Sequence, residues 1–159
     1  MALTIGDSLP VFDLPCNDGP CNDGTKLNSA TLKGKILVLY FYPKDDTSGC
    51  TKEALAFEAQ KEAFTAANAQ VIGASKDSPK SHGKFKEKYN LSLTLISDED
   101  AHLCEIFGVW VEKSMYGRKY MGIERSTFIF NKEGFMTHEW RKVKVPGHAE
   151  AVLKAVQSL

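Results

Sequence analysis

One segment constrains the fold of this chain more than any other: an apolar run that passes through a short loop into a helical pattern. Residues 36–42 read I-L-V-L-Y-F-Y, and an apolar run of this length bounded by turn residues is typical of a buried strand. The loop P-K-D-D-T-S-G-C follows and ends at Cys50. Residues 51–67 are rich in the helix formers Ala and Glu. The segment therefore predicts a strand, a short loop and then a helix, with Cys50 near the first turn of that helix.

Strand and helix patterns alternate along the rest of the chain, and a hairpin and a last helix close it. Residues 4–34 are rich in turn residues and predict an N-terminal hairpin extension with a long loop. Such alternation predicts an α/β fold, a central mixed β-sheet flanked by helices, in one domain spanning residues 1–159. The remaining predicted strands are 70–75, 91–96, 126–130 and 135–140, and the remaining predicted helices are 77–89, 98–107 and 149–158.

Composition excludes several classes of partner. The 159 residues include 20 basic and 20 acidic side chains, for a formal net charge of +0, so no charge excess points to nucleic acid or to an anionic membrane. The chain contains no signal-like leader and no apolar run near the roughly 20 residues of a membrane span. Four cysteines are too few for a disulfide scaffold. We therefore expect a cytoplasmic protein with reduced thiols and no membrane partner.

Cys50 lies where a thiol becomes reactive. The amide groups and the positive dipole end of a helix N-terminus favour the thiolate, which is the nucleophilic form of cysteine. A packed, inert core thiol is the alternative. Three neighbours favour reactivity: Gly49 lets a small ligand approach the backbone, Thr47 can aim a hydroxyl at the same place, and Pro43 shields the sulfur and fixes the loop.

The pattern Pro43-x-x-x-Thr47-x-x-Cys50 resembles the active-site signature of the peroxiredoxins. Its surroundings are most similar to the Q-type branch, also called the bacterioferritin comigratory protein family. The blocks I-E-R-S-T-F at 123–128 and W-R-K-V-K-V at 140–145 extend the resemblance over nearly the whole chain. It implies a thioredoxin-like fold and a thiol-dependent peroxidase with an antioxidant role.

The resemblance also implies a role for each site residue. Cys50 would be the peroxidatic cysteine, whose thiolate attacks a peroxide and becomes a sulfenic acid. Arg125 would stabilise the thiolate and bind the peroxide, and Glu53 would hold the arginine in orientation. Thr47 would bond the attacked oxygen, and the backbone N–H groups of Gly49 and Cys50 would complete the site.

The resemblance implies a monomer that needs no cofactor. The expected substrates are hydrogen peroxide and organic hydroperoxides, and the expected reductant is thioredoxin or a glutaredoxin-type protein. No nucleotide-binding loop occurs in the sequence.

The recovery of an oxidised Cys50 is left open by the sequence. Members of this branch carry a resolving cysteine five residues after the first or on the next helix, and Leu55 and Lys86 occupy those positions here. This favours a one-cysteine cycle in which an external thiol resolves the sulfenic acid. The alternative is a two-cysteine cycle with Cys16, Cys21 or Cys104 as the resolving thiol. Cys16 and Cys21 lie in the turn-rich loop, which we expect to be exposed, whereas the apolar surroundings of Cys104 favour a packed core thiol.

Two other functions compete with this one. A structural zinc site needs two close ligand pairs, whereas the sequence offers only Cys16-x4-Cys21 with scattered histidines, so no metal is expected. A non-enzymatic binding or chaperone-like protein on the same fold, in which Cys50 only packs, is the second rival.

Overall fold

The structure is a computed structural model that describes residues 2–16 and 26–159. In these ranges, a short 3₁₀ helix covers Ser29–Leu32. The strands are β1 (Asp13–Pro15), β2 (Lys26–Asn28), β3 (Ile36–Phe41), β4 (Ala69–Ser75), β5 (Thr94–Ser97), β6 (Trp110–Met115), β7 (Arg118–Ile123), β8 (Ser126–Phe130) and β9 (Met136–Trp140). The helices are α1 (Ser48–Ala59), α2 (Lys61–Ala66), α3 (Pro79–Tyr89), α4 (His102–Ile106) and α5 (His148–Gln157).

A mixed five-stranded sheet forms the centre of the described part of the chain, in the order β5-β4-β3-β8-β9. Strands β3, β4 and β5 run parallel, whereas β8 is antiparallel to β3 and to β9. Strands β1 and β2 pair as a separate antiparallel hairpin. This confirms the α/β fold with a central mixed sheet, and the N-terminal hairpin extension with it.

The central strand β3 supplies side chains to two cores, one on each face of the sheet. All six of its residues are buried, and successive side chains of a strand point to opposite faces. Leu37, Leu39 and Phe41 belong to one core, whereas Val38 and Tyr40 belong to the other, which also contains Cys50 and Phe57. Burial of a Phe or Leu side chain contributes about 1.5–3 kcal/mol, so both faces of β3 stabilise the fold and fix the end of the strand that leads to Cys50.

The predicted helix over residues 51–67 is two helices in the structure. Helix α1 ends at Ala59, Gln60 leaves helical geometry with φ −103° and ψ 7°, and α2 begins at Lys61. The break lets Phe57 and Phe64 enter the same core with ring centroids 6.0 Å apart. Tertiary packing here overrides the helix propensity of the Ala-rich run.

Two other elements begin later in the structure than the sequence predicted. The strand expected from residue 91 begins at Thr94. The helix expected from Asp98 begins only at His102, because the Asp98 carboxylate accepts from the backbone N–H groups of Leu103 and Cys104 at 3.1 and 2.8 Å. Asp98 thus caps a shorter helix from outside it.

The β6–β7 hairpin is an element that the sequence patterns did not predict. Its strands pair in antiparallel register from Trp110 opposite Ile123 to Met115 opposite Arg118. Tyr116 and Gly117 form the turn with φ values of 52° and 78°, and positive φ at both central residues marks a type I′ turn. Within the described ranges, no helix has the length and apolarity required to span a membrane.

Candidate active site

Cys50 lies in the first turn of α1, beside the free amide groups of the helix. Thr47 is the N-cap residue and Ser48 begins the helix, so Cys50 is its third residue. The Thr47 side chain does not cap the helix, because its hydroxyl donates to the carbonyl of Lys44 at 2.9 Å. The first-turn N–H groups have no intrahelical acceptor and carry the positive end of the dipole. The Cys50 residue is only 2% exposed, so these dipoles act on a sulfur that is largely shielded from water.

Arg125 joins the cysteine to a buried carboxylate. Its Nη2 donates to the Cys50 Sγ at 3.3 Å, and its Nη1 donates to Glu53 Oε1 at 2.6 Å. Glu53 follows Cys50 by three residues, so the two side chains share one face of α1. A Cβ at Gly49 would lie 3.1 Å from the Arg125 Nη2. The glycine therefore leaves the space in which the guanidinium reaches the sulfur.

Among Cys50, Glu53 and Arg125, burial and charge have opposing effects on the pKa values of Glu53 and Arg125. Burial raises the pKa of Glu53 to about 7, although the Arg125 charge opposes the rise. Burial alone would lower the pKa of Arg125, but the negative charges of Glu53 and Cys50 outweigh it and the pKa is raised. Among the described residues, Glu53 Oε2 has no hydrogen-bond partner. The guanidinium is thus held charged between a carboxylate and a sulfur, which is the arrangement that favours a thiolate.

The loop before α1 is fastened to α3 by Asp45. Its Oδ1 accepts from the Tyr42 hydroxyl at 2.6 Å, and its Oδ2 accepts from the Ser81 hydroxyl and from His82 Nδ1, both at 2.8 Å. The other nitrogen of His82, Nε2, faces the Ile96 carbonyl oxygen at 3.0 Å. The His82 ring therefore bridges the Asp45 carboxylate and the Ile96 carbonyl. This buried contact between Asp45 and His82 anchors the loop that carries Pro43 and Thr47.

Asp46 makes a second, exposed attachment of the same loop to α3. Its carboxylate accepts from Lys88 Nζ at 2.8 Å and from the Tyr89 hydroxyl at 2.6 Å. The residue has a φ of 57°, a left-handed conformation that Asp adopts more readily than most residues. Asp45 and Asp46 thus both attach the loop to α3.

Asp45 and His82 form, with Asp77, a group whose ligand atoms lie within 4.8 Å of one another. Asp77 Oδ2 already accepts from the Asp45 backbone N–H at 2.9 Å and from the Ser75 hydroxyl at 2.7 Å. Protein donors and acceptors therefore occupy this cluster. The three side chains take part in one hydrogen-bond network.

The two positions at which the resemblance implies a resolving cysteine differ strongly in exposure. Leu55 on α1 is 42% exposed, whereas Lys86 on α3 is 7% exposed. Burial lowers the pKa of Lys86 to about 8. Neither side chain offers a thiol, and Lys86 lies against the core.

The other described cysteines lie away from Cys50. Cys104 and Cys16 are both 0% exposed and belong to the core on the opposite face of the sheet from Cys50. Burial raises the pKa of the Cys104 thiol, and Asp98 raises it further, as befits a packed core thiol. Cys16 is disulfide-bonded, so the expectations of an exposed position and of fully reduced thiols were wrong for this residue. Its strand-like bridge to Ile96 explains the burial. Cys21 lies outside the described residues.

Of the expected site residues, Cys50, Gly49, Glu53 and Arg125 meet directly. Thr47 and Pro43 lie on the tethered loop, and the Thr47 side chain contacts the Lys44 carbonyl. Sequence reasoning missed Asp45 and His82, although the two aspartates beside Thr47 were a visible signal.

Comparison with known proteins identifies the family. The profile of the AhpC/TSA family matches residues 5–139. Peroxiredoxin Bcp of Bacillus subtilis is 51% identical over 127 residues, which are 80% of this chain and 81% of the relative. Peroxiredoxin Bcp of Xanthomonas campestris is 48% identical over 147 residues, covering 92% and 90% of the two chains. The chain belongs to the AhpC/TSA family, as a peroxiredoxin of the Bcp or Q type.

Solved structures agree with this membership. A cysteine variant of PrxQ from Xylella fastidiosa superposes with a TM-score of 0.91 at 40% identity and covers 99% of this chain and 98% of that one. The bacterioferritin comigratory protein of X. campestris superposes with a TM-score of 0.85 at 45% identity, covering 92% and 90%. The chain is therefore a thiol-dependent peroxidase with a thioredoxin-like fold, which sets aside the non-enzymatic alternative.

Proposed function

We propose that Cys50 is the peroxidatic cysteine of this peroxiredoxin. Its thiolate attacks one oxygen of the hydroperoxide, an S–O bond forms and the O–O bond breaks. The sulfur is oxidised to a sulfenic acid, and the departing oxygen leaves with the bonding electron pair and takes up a proton to give water or an alcohol. The contact of 3.3 Å between Arg125 Nη2 and Cys50 Sγ is the observation that carries this proposal.

Each neighbour has a part in this step. The guanidinium of Arg125 stabilises the thiolate and then the charge that develops on the oxygens, an effect that is worth about 10²–10³ in rate for one well-placed donor. The Thr47 hydroxyl donates its hydrogen bond to the Lys44 carbonyl, so its oxygen can accept from the peroxide O–H. The N–H groups of Gly49 and Cys50 lie in the first turn of α1, where they have no intrahelical acceptor, and Pro43 starts the loop after β3. Glu53 acts on Arg125, and is a positioning residue.

The experiment that tests this assignment is peroxide consumption with dithiothreitol as the reductant. Cys50→Ser should abolish turnover, because a hydroxyl cannot form a sulfenic acid. Cys104→Ala is the matched control, since Cys104 is buried in the opposite core, and it should retain turnover. Peroxidase activity that survives Cys50→Ser contradicts the role of Cys50.

For the second half of the cycle, a one-cysteine mechanism fits the residues best. Leu55 and Lys86 replace the expected thiols, and the burial of Cys104 argues against its attack on Cys50. The alternative, resolution by Cys16, Cys21 or Cys104, predicts an intramolecular disulfide. Mass mapping of the protein after one equivalent of peroxide distinguishes the two: a disulfide that includes Cys50 would refute the one-cysteine cycle, and a trapped sulfenic acid on Cys50 would support it.

The substrates, the reductant and the setting complete the proposal. A study of the X. campestris relative concerns alkyl peroxide reduction, which supports organic hydroperoxides besides hydrogen peroxide as substrates here. The proposed reductant is thioredoxin or a glutaredoxin-type protein, acting on a cytoplasmic monomer in antioxidant defence. Turnover coupled to NADPH through thioredoxin reductase and thioredoxin, or through glutathione and glutaredoxin, tests the reductant, and sedimentation tests the monomer.

A further inference from the structure

The two strands of the β6–β7 hairpin place Lys113 on one of the two faces of the hairpin. In the antiparallel register, Lys113 lies opposite Tyr120 and Val111 lies opposite Gly122, so these four side-chain positions share a face. Lys113 is the half-buried cation of this face, whereas Lys119 points to the other face and is highly exposed. The two lysines of one hairpin therefore stand in opposite environments.

The stem of Lys113 crosses the hairpin over Gly122. A Cβ at Gly122 would lie 3.2 Å from the Cδ of Lys113 and 3.4 Å from its Cε. The missing side chain thus makes the channel in which the aliphatic stem lies. At the end of this channel, Nζ donates to the carbonyl oxygen of Ile123. Ile123 is the last residue of β7 and stands two residues before Arg125, so the ammonium group fastens the corner from which the arginine projects.

The charge of Lys113 is coupled to the active site. Burial lowers the pKa of Lys113 and the positive charge of Arg125 lowers it further, whereas Cys50 and Glu124 act in the opposite direction. An ammonium group that feels the sulfur acts on it in return, because the interaction of two charges is mutual. The titratable groups that interact with Cys50 are Tyr40 on β3, Lys113 on β6 and Arg125 just before β8. Glu53 on α1 acts on Arg125.

We propose that Lys113 is a positioning residue of the peroxidase site. Its ammonium group fixes the Ile123 carbonyl and thereby the position of Arg125. It also adds a second positive charge to the surroundings of the Cys50 sulfur, which favours the thiolate. The inference rests on Cys50 being the reactive thiol, and it names a residue outside the signature around Cys50.

The test compares Lys113→Met, which keeps the stem and removes the charge, with Lys119→Met, which removes an exposed charge from the same hairpin. The rate of Cys50 alkylation by iodoacetamide is measured against pH, with the modified residue identified by mass mapping. The loss of one charge near a shielded sulfur should move the midpoint of the profile upward by roughly 0.5–1 pH unit. The rate of peroxide reduction at neutral pH should fall about three- to tenfold, whereas Lys119→Met should change neither quantity.

Lys113→Arg separates charge from fold, because it retains the cation and should restore the midpoint. A midpoint and a peroxide rate that are unchanged in folded Lys113→Met overturn the proposal. If Lys113→Met does not fold, Lys113→Gln takes its place, since it also removes the charge at this position, and an unchanged midpoint and peroxide rate in that variant refute the proposal equally. Alkylation reports on Cys50 even if Cys50→Ser keeps its peroxidase activity, so a failure of the catalytic assignment is distinguished from a failure of this one.

Discussion

The space beside Gly49 makes the sharpest prediction, because one methyl group placed there should separate activity from stability. In Gly49→Ala the new Cβ would lie 3.1 Å from the Arg125 Nη2. Real Cβ contacts are longer, so the guanidinium must move by a few tenths of an ångström. The nitrogen that moves is the one that donates to the Cys50 sulfur at 3.3 Å, and any retreat lengthens that bond.

The magnitude follows from the strength of this bond. A hydrogen bond to a charged group is worth about 1.5–3 kcal/mol, and the loss of about half of it corresponds to a fall of roughly four- to tenfold in the rate constant for peroxide reduction. The folded state should not suffer, since Gly49 has no positive φ and alanine in a helix is favoured over glycine by up to about 1 kcal/mol.

Stopped-flow measurement of peroxide reduction and urea unfolding of the same protein samples test both parts. Ser48→Ala, at the exposed first residue of α1, is the matched control for an alanine in this turn. A Gly49→Ala rate within twofold of the unmodified protein would show that Arg125 does not depend on the gap. A loss of stability that accompanies the loss of rate would show that the methyl group disturbs the helix instead.

Two further predictions concern the buried charges around the site. Burial raises the pKa of Glu53 from 4.5 to about 7, so the folded protein binds the proton more tightly than the unfolded chain. The stability contribution of Glu53 is therefore largest below pH 4.5 and is lost as pH rises to about 7. The free energy of unfolding should fall by at most about 1.4 kcal/mol per pH unit over this range. Urea unfolding between pH 4.5 and 8 should show this slope, and Glu53→Gln should remove it. Asp45→Asn should cost about 1–3 kcal/mol, because an amide replaces the buried carboxylate that Tyr42, Ser81 and His82 contact. Asp46→Asn, at an exposed ion pair, should change the unfolding midpoint little, and equal effects of the two substitutions would contradict the importance of the buried network.

The central fold was predictable because its signals are local. β3 is a run of six buried residues, and its apolar character can be read from the segment alone. The β6–β7 hairpin was not predictable in the same way, since most of its residues are exposed and its turn is Tyr116-Gly117 in place of the usual Asn-Gly. The end of α1 depends on packing, and the start of α4 depends on a cap from outside the helix. The spacing of apolar residues in the sequence indicates neither of these.

The same difference between local and long-range signals applies to the active site. The environment of Cys50 at a helix N-terminus follows from the segment itself. The pairing of Cys50 with Arg125 spans 75 residues and was inferred from resemblance and not from any spacing. The link between Asp45 and His82 spans 37 residues and had no sequence pattern to announce it, because one aspartate and one histidine at such a distance form no motif.

The link between the active-site loop and α3 bears directly on how Cys50 is recovered. In a two-cysteine cycle with the resolving thiol on α3, the loop and the helix must come apart or rearrange so that the two sulfurs meet. In this chain α3 carries Lys86 at that position, and Asp45 and Asp46 bind the loop to α3 through side chains on both sides. Opening this contact would break the buried Asp45–His82 hydrogen bond and would deliver no thiol. The residues that hold the Thr47 loop against α3 therefore support the proposed one-cysteine cycle, in which the sulfenic acid on Cys50 stays in place until an external thiol reaches it.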